Sequence, residues 1–298
     1  MASSIHEFFG FPPEDRSAEA EVYRKNRICP FVDGPCIKYI RFGDERRKSG
    51  VCAIKPNRSD PVITCPQRMY AENYAVLRHV SEIAFGEKLD LVSGDRVCES
   101  APTASFVAVF GHNFGKELHL PKRKGRGAYF VDWILARLTA DQELIDFTAV
   151  EVQTIDTTGN YRDEVGALFE GLRPAGKSTA SPNWENVNKR ILPQIIYKGH
   201  VLRREPKCSK GLFFVCPTPV YDRICARLGG ELEPIHPSTG ALSFLHYSLE
   251  DRAPGEPRTL HRNGMFTTTV DNVALAFTAP KNLPPAGAYQ NAIEKALR

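Results

Sequence analysis

The sequence predicts an α/β fold, because short runs of aromatic and β-branched residues alternate with segments whose apolar residues recur at helical spacing. Residues 129–135 and 147–156 read as buried strands, with Gly127 before the first and Thr158-Gly159 after the second. Residues 211–216 form a third apolar run and lead directly into Thr218-Pro219, a helix start that Gly229 closes. A chain of 298 residues suffices for one large α/β domain with an elaboration, or for two modest domains.

Taken in order, the chain opens on a Pro12-Pro13 turn and a polar helix over 17–27, for which Ser17 is the N-cap. Pro66 starts a packing helix in which Met69, Tyr70, Tyr74, Leu77, Val80, Ile83 and Ala84 share a stripe up to Gly86. Residues 105–110 read as a strand, followed by Gly111-His-Asn and by Lys122-Arg-Lys-Gly-Arg126. That charge run is either a solvated face or a phosphate contact. Residues 159–181 are polar and glycine-rich and read as a loop. Asn183 is the expected cap of a helix through Trp184, Val187, Ile191 and Ile195, bent by Pro193. Residues 242–249 and 265–270 are further strands, and the tail from Ala286 reads as an amphipathic helix.

The two central strands carry acids. Strand alternation puts Glu151 and Gln153 on one face and Val150, Val152 and Thr154 on the other, while Asp132 sits among apolar neighbours. An unpaired carboxylate there costs several kcal/mol unless compensated. Two readings satisfy the requirement. Each acid is paired with an arginine or capped by backbone N–H groups, or the acids share a divalent cation, for which an Asp at one strand end and a Glu-x-Gln on its neighbour form a compact oxygen site.

No apolar run approaches the length of a membrane span, and Met1-Ala-Ser-Ser-Ile-His-Glu lacks a signal-peptide pattern, so a cytoplasmic protein is expected. Its eight cysteines then favour metal ligation or free thiols over disulfides. Four of them, Cys29, Cys36, Cys52 and Cys65, fall in a stretch rich in glycine, proline and charge that buries little core of its own. Four thiolates around one cation would stabilise such a stretch; four unrelated buried thiols are the alternative. Cys98, Cys208, Cys216 and Cys225 read as core thiols. Residues 1–66 are thus expected to form an N-terminal region with a metal module, and residues 67–298 the main α/β unit. Net charge is +4, but residues 22–58 hold ten Lys/Arg against three Asp/Glu, which points to a polyanionic partner.

Cys29-Pro-Phe, Cys36, Gly50-Val-Cys52, Cys65-Pro, Gly111-His-Asn, Val131-Asp132-Trp133 and Glu151-Val-Gln153, in this order and spacing, resemble the NotI-type restriction endonucleases, a family that takes in EagI-like enzymes. The resemblance covers about residues 29–155. It implies a PD-(D/E)XK fold, a mixed sheet flanked by helices, with a metal-bound four-cysteine module. By position, Asp132 and Glu151 would hold catalytic Mg²⁺, Gln153 would stand where most relatives have lysine, and Glu117 would be a further acid. Cys29, Cys36, Cys52 and Cys65 would hold a structural iron or zinc. The implied substrate is double-stranded DNA, cut in a GC-rich palindrome by a homodimer that operates beside a DNA methyltransferase. Arg41, Arg46, Arg47, Lys48 and the loops after Gly159 supply candidate base and phosphate contacts. The competing expectation is a metal-stapled, sequence-specific DNA-binding protein with an inactive nuclease-like core; a third is a nuclease without a fixed site.

Overall fold

A computed structural model describes residues 3–99, 103–112, 115, 117–118, 130–174, 176, 178–229, 232–281 and 283–297. The basic run at 122–126, with Lys116, His119 and Tyr129, lies outside them.

The chain starts with β1 (Ser3–Phe8), a strand hidden from sequence reading by its brevity and by the proline turn behind it. Helix α1 (Ala18–Asn26) follows as expected, with Ser17 Oγ accepting from the Ala20 N–H at 3.2 Å. Next come a two-residue ladder, β2 (Ile28–Cys29) with β3 (Gly34–Pro35), and a basic hairpin, β4 (Tyr39–Phe42) with β5 (Glu45–Lys48). Strand β6 (Val51–Pro56) then lies between β1 and β7 (Val62–Ile63) in a three-stranded sheet.

Pro66 opens a 3₁₀ turn, Pro66–Tyr70, and helix α2 (Ala71–Phe85) ends at left-handed Gly86. Within α2, Glu72, Asn73 and Tyr74 have φ of 55°, 52° and 61°, a left-handed turn that costs non-glycine residues energy. Arg78 caps the freed carbonyls of Glu72 and Asn73. The turn stacks Tyr74 on Tyr70, ring centroids 5.3 Å apart, and sets both edge-on to Trp133.

The main sheet is built from β8 (Leu91–Ser93), β9 (Phe106–Gly111), β10 (Trp133–Leu138) and β11 (Leu144–Val152), joined by later strands. After β11 come β12 (Thr157–Thr158), helix α3 (Arg162–Phe169) and β13 (Ser181–Pro182). Helix α3 lies where sequence reading placed a loop; its Val165 and Leu168 cover Ile5, Phe8 and Ile54 of the small sheet, and this long-range burial outweighs a weak local signal. A π-turn, Val187–Ile191, leads into α4 (Leu192–Leu202). The expected bend is therefore this π-turn, and Pro193, which has no N–H to return to the preceding turn, sits just inside the helix that follows.

Strand β14 (Cys208–Pro217) and helix α5 (Thr218–Leu228), stopped by Gly229 in left-handed conformation, match expectation. Strands β15 (Ala241–Glu250) and β16 (Thr259–Thr269) form a long antiparallel pair. Helix α6 (Val270–Thr278), which sequence reading missed by running the preceding strand to Val270, is capped by Thr269 Oγ1. Helix α7 (Ala288–Ala296) forms in the tail and buries none of its residues.

Sheet order is β16-β15-β14-β11-β10-β9-β8, with β11, β14 and β15 parallel to one another and β10 antiparallel to both its neighbours. One face packs Val107, Trp133, Val150, Phe213 and Val215 on Leu77 and Val80 of α2. The other packs Ala149, Leu212, Phe214 and Phe244 on Ile195 and Leu202 of α4, Ile224 of α5 and Val273 of α6. The result is a mixed sheet between helical layers. Cys208 and Cys216 are core thiols, but Cys98 is exposed and Cys225 only half-buried: Cys98 lies in a short 3₁₀ turn of which Val97 alone is buried.

The small sheet is tied to α2's entry by one ion pair. Arg68 Nε donates to both carboxylate oxygens of Glu7 at 2.9 Å, with both side chains fully buried, and the guanidinium lies over the Phe31 ring. Burial pushes the Glu7 carboxyl up and Arg68 holds it down. Removing one partner strands a buried charge, so Arg68→Met is expected to destabilise the protein by about 3–5 kcal/mol, and Glu7→Leu combined with Arg68→Met to recover most of that loss. Urea denaturation of the three proteins checks this; a single substitution costing no more than the double one would remove the ion pair from this role.

Candidate active site

The register of β10 and β11 sets Trp133 opposite Val150, so one further step brings Asp132 level with Glu151. Asp132 Oδ2 accepts from the Val152 backbone N–H at 2.8 Å, which fixes the carboxylate against the neighbouring strand. Gly111, opposite Trp133 on β9, leaves room for this approach: a Cβ there would lie 2.3 Å from the indole and 2.6 Å from the Asp132 carbonyl oxygen.

Alternation decides which way Glu151 points. Val150 and Val152 pack toward α2, and Ala149 packs toward α4. Glu151, two residues on from Ala149, takes the α4 side and is 6% exposed. There Lys198 of α4 meets it, Nζ to Oε1 at 2.5 Å, while Oε2 is buried with no hydrogen-bond partner among the described residues.

The electrostatics follow from that geometry. Burial, reinforced by the Asp132 charge, lifts the Glu151 carboxyl to about 7 against the pull of Lys198. Asp132 is raised by burial and by the Glu117 charge, and lowered by the Val152 N–H and Lys198. Two carboxylates pressed together with one oxygen left over are a donor set that fits a divalent cation. Among the described residues no group of three or more His, Cys, Asp or Glu is arranged to hold a metal.

Of the four residues singled out in this region, the structure brings Asp132 and Glu151 into one site. Glu117 is near enough to raise Asp132 and lies 3.5 Å from His112 Nδ1. Gln153 lies just past the end of β11, its backbone N–H donating to the Val215 carbonyl and its side-chain Nε2 donating to the Thr154 carbonyl at 2.9 Å. Tyr70 joins the site unannounced: its hydroxyl accepts from Trp133 Nε1 at 3.3 Å and is itself raised by burial and then by Asp132. Lys198 is the other residue that sequence reading missed. Its signal was present, a lysine on the same helical stripe as Leu192, Ile195 and Leu202.

The four cysteines of the N-terminal region are all buried free thiols. Burial raises Cys29 to about 12, with Cys65 and Cys36 adding to it, and Cys52 is raised by burial, by Glu7 and by the other three. The four are therefore close enough to feel one another. Backbone N–H groups of Phe31 and Val32 donate toward Cys29, and those of Gln67 and Arg68 toward Cys65, which offsets part of the upward push of burial on both thiols. In chemistry the set fits a soft tetrahedral cation. On the surface beside it, Arg41, Arg46 and Arg47 of the β4–β5 hairpin are exposed, with Arg46 lying 3.9 Å from the Tyr39 ring centroid.

No helix among the described residues is long and apolar enough to cross a membrane. No curated protein matches the chain. The model of the family described as restriction endonuclease NotI matches residues 20–217. That span runs from α1 to the end of β14 and takes in the cysteines, the hairpin, Asp132, Glu151 and Lys198. Matched over about two thirds of its length, the chain belongs to the NotI restriction endonuclease family and is a site-specific deoxyribonuclease that cleaves DNA.

Proposed function

We propose that this type II restriction endonuclease is Mg²⁺-dependent, has Asp132 and Glu151 as its metal ligands, and cuts both strands of a GC-rich palindrome as a homodimer. The observation that carries the reading is the unpartnered, buried Glu151 Oε2 beside Asp132 at the end of the central antiparallel pair. A two-fold DNA site read by two copies of one chain accounts for the dimer.

In the reaction a water oxygen bonds to phosphorus as the bond to the 3′ oxygen breaks, leaving a 5′-phosphate and a 3′-hydroxyl. Mg²⁺ bound at the carboxylates supplies Lewis acidity and lowers the pKa of water. Asp132, held by the Val152 N–H, offers its second oxygen from a fixed direction, and Glu151 offers Oε2. Glu117 adds negative charge to this end of the sheet. Gln153 brings no charge, and its side-chain N–H is bonded to the Thr154 carbonyl, so its part is to orient water through the amide after a rotation.

Asp132→Ala and Glu151→Ala are each expected to reduce cleavage about 10²–10³-fold or more while DNA binding persists. Phage genomic DNA incubated with Mg²⁺, with EDTA and with each variant provides the readout. Discrete Mg²⁺-dependent fragments whose ends share one palindrome support the reading. Cleavage at the wild-type rate in either variant excludes that residue, and a DNA shift without cutting favours the binding-protein alternative.

For the N-terminal region, the proposed structural metal is iron or zinc on Cys29, Cys36, Cys52 and Cys65, a set supported by their shared burial and mutual influence. Elemental analysis of the purified protein is expected to find one such ion per chain, lost in Cys52→Ser together with cooperative unfolding of the region. Metal-free protein with unchanged stability would dismiss it.

The exposed arginines of the hairpin suit a DNA backbone and guanine edges. Replacing Arg46 and Arg47 by alanine is expected to flatten the dependence of log affinity on log salt by about one unit for each phosphate no longer neutralised. An unaltered slope would place the DNA elsewhere.

A further inference from the structure

We infer that Lys198 of α4 supplies the positive charge of the reaction centre, delivered from a helix across the sheet face to the place that Gln153 leaves uncharged; this rests on the assignment of Asp132 and Glu151 proposed above. Three features of the fold converge on it.

The first is placement. Lys198 lies on the buried stripe of α4 between Ile195 and Leu202, a position that an apolar side chain would fill at lower cost, yet its Nζ reaches Glu151 Oε1 at 2.5 Å. Its methylene stem lines an apolar cavity of about 430 Å³ together with Phe130, Val131 and Ile134, and the ammonium is 5.9 Å from the Phe130 ring centroid. The stem runs along apolar side chains, so only the charged tip has to turn from a Glu151 oxygen toward a phosphate oxygen.

The second is orientation of the helix. The π-turn Val187–Ile191 inserts one residue ahead of α4, and removing it would rotate α4 by about 100°. Lys198 would then leave the Glu151 face. Gly199, where a Cβ would come 2.7 Å from Val270 Cγ2, lets α4 lie close against α6 and fixes the orientation that the π-turn sets.

The third is charge. Asp132 and Glu151 together carry two negative charges, which a single divalent ion balances to zero, and the Glu117 charge near Asp132 leaves the site net negative. Attack on a phosphodiester builds a dianionic phosphorane, and a site with that balance offers it no net attraction. Lys198 offsets that excess and puts a cation at the point where the charge develops. Gln153 cannot do so, and its side-chain N–H is already bonded to Thr154.

The test uses the full-length protein and a duplex carrying the site identified by genomic digestion. Single-turnover cleavage in Mg²⁺ and duplex affinity in Ca²⁺ are measured for wild type, Lys198→Met, Lys198→Arg and the double variant Lys198→Met with Gln153→Lys. Lys198→Met is expected to slow cleavage about 100-fold with affinity changed by less than about threefold, Lys198→Arg to retain most of the rate, and the double variant to recover about tenfold or more by returning the charge along β11. Cleavage by Lys198→Met within about threefold of wild type overturns the inference. So does a parallel loss of melting temperature and affinity that the double variant leaves unrepaired, since that marks Lys198 as a structural partner of Glu151. If wild type fails to cut in Mg²⁺, or Asp132→Ala cuts normally, the underlying site assignment fails instead.

Discussion

Two buried carboxylates facing each other at adjacent strand ends cannot both be charged without a cation between or beside them. That constraint organises the region around Asp132 and Glu151. The β10–β11 register brings the acids level, the Val152 N–H takes one oxygen of Asp132, Lys198 takes one of Glu151, and Oε2 of Glu151 is left over. A protein built only for stability would gain by replacing such a cluster with well-packed apolar residues. Retaining it inside a sheet otherwise lined by Ala149, Val150 and Phe213 fits a site that gives up stability for chemistry.

What was legible in the sequence is what short-range rules govern. Period-two alternation and a short turn identify β10 and β11 as partners, and with them the adjacency of Asp132 and Glu151; Pro219 and Gly229 delimit α5 through their own backbone restrictions. What escaped depends on residues far apart in the chain. Helix α3 is polar by local composition and is stabilised by Val165 and Leu168 reaching a sheet formed by residues 3–63. Lys198 is 47 positions from Glu151, and no spacing rule links a helix lysine to a strand acid before the π-turn that aims the helix is known. Cys98 reads as a core thiol from its sequence context, yet in its turn only Val97 faces inward.

The N-terminal region shows a different economy of structure. Strand β6 is apolar enough to sit between two others, but β2 to β5 bury little, and the ladder formed by β2 and β3 is only two residues long per strand. Four buried thiols stand in this region, which has little apolar core of its own. The exposed arginines of the hairpin are set out from this base, with Phe42 turned back toward α3, so one edge of the hairpin anchors while the other stays open to a polyanion.

These two regions meet within six residues of chain. Cys65 ends the cysteine set, Arg68 pairs with Glu7 of the small sheet, and Tyr70 bonds the Trp133 indole next to Asp132. The left-handed turn at Glu72 to Tyr74 sets a second ring edge-on against the same indole at the start of β10. The 65–70 segment is thus joined to the start of β10 through Tyr70 and the buried Trp133. The left-handed turn costs backbone energy locally, and it lies between the Arg68–Glu7 pair that ties the small sheet to α2 and the indole at the start of β10.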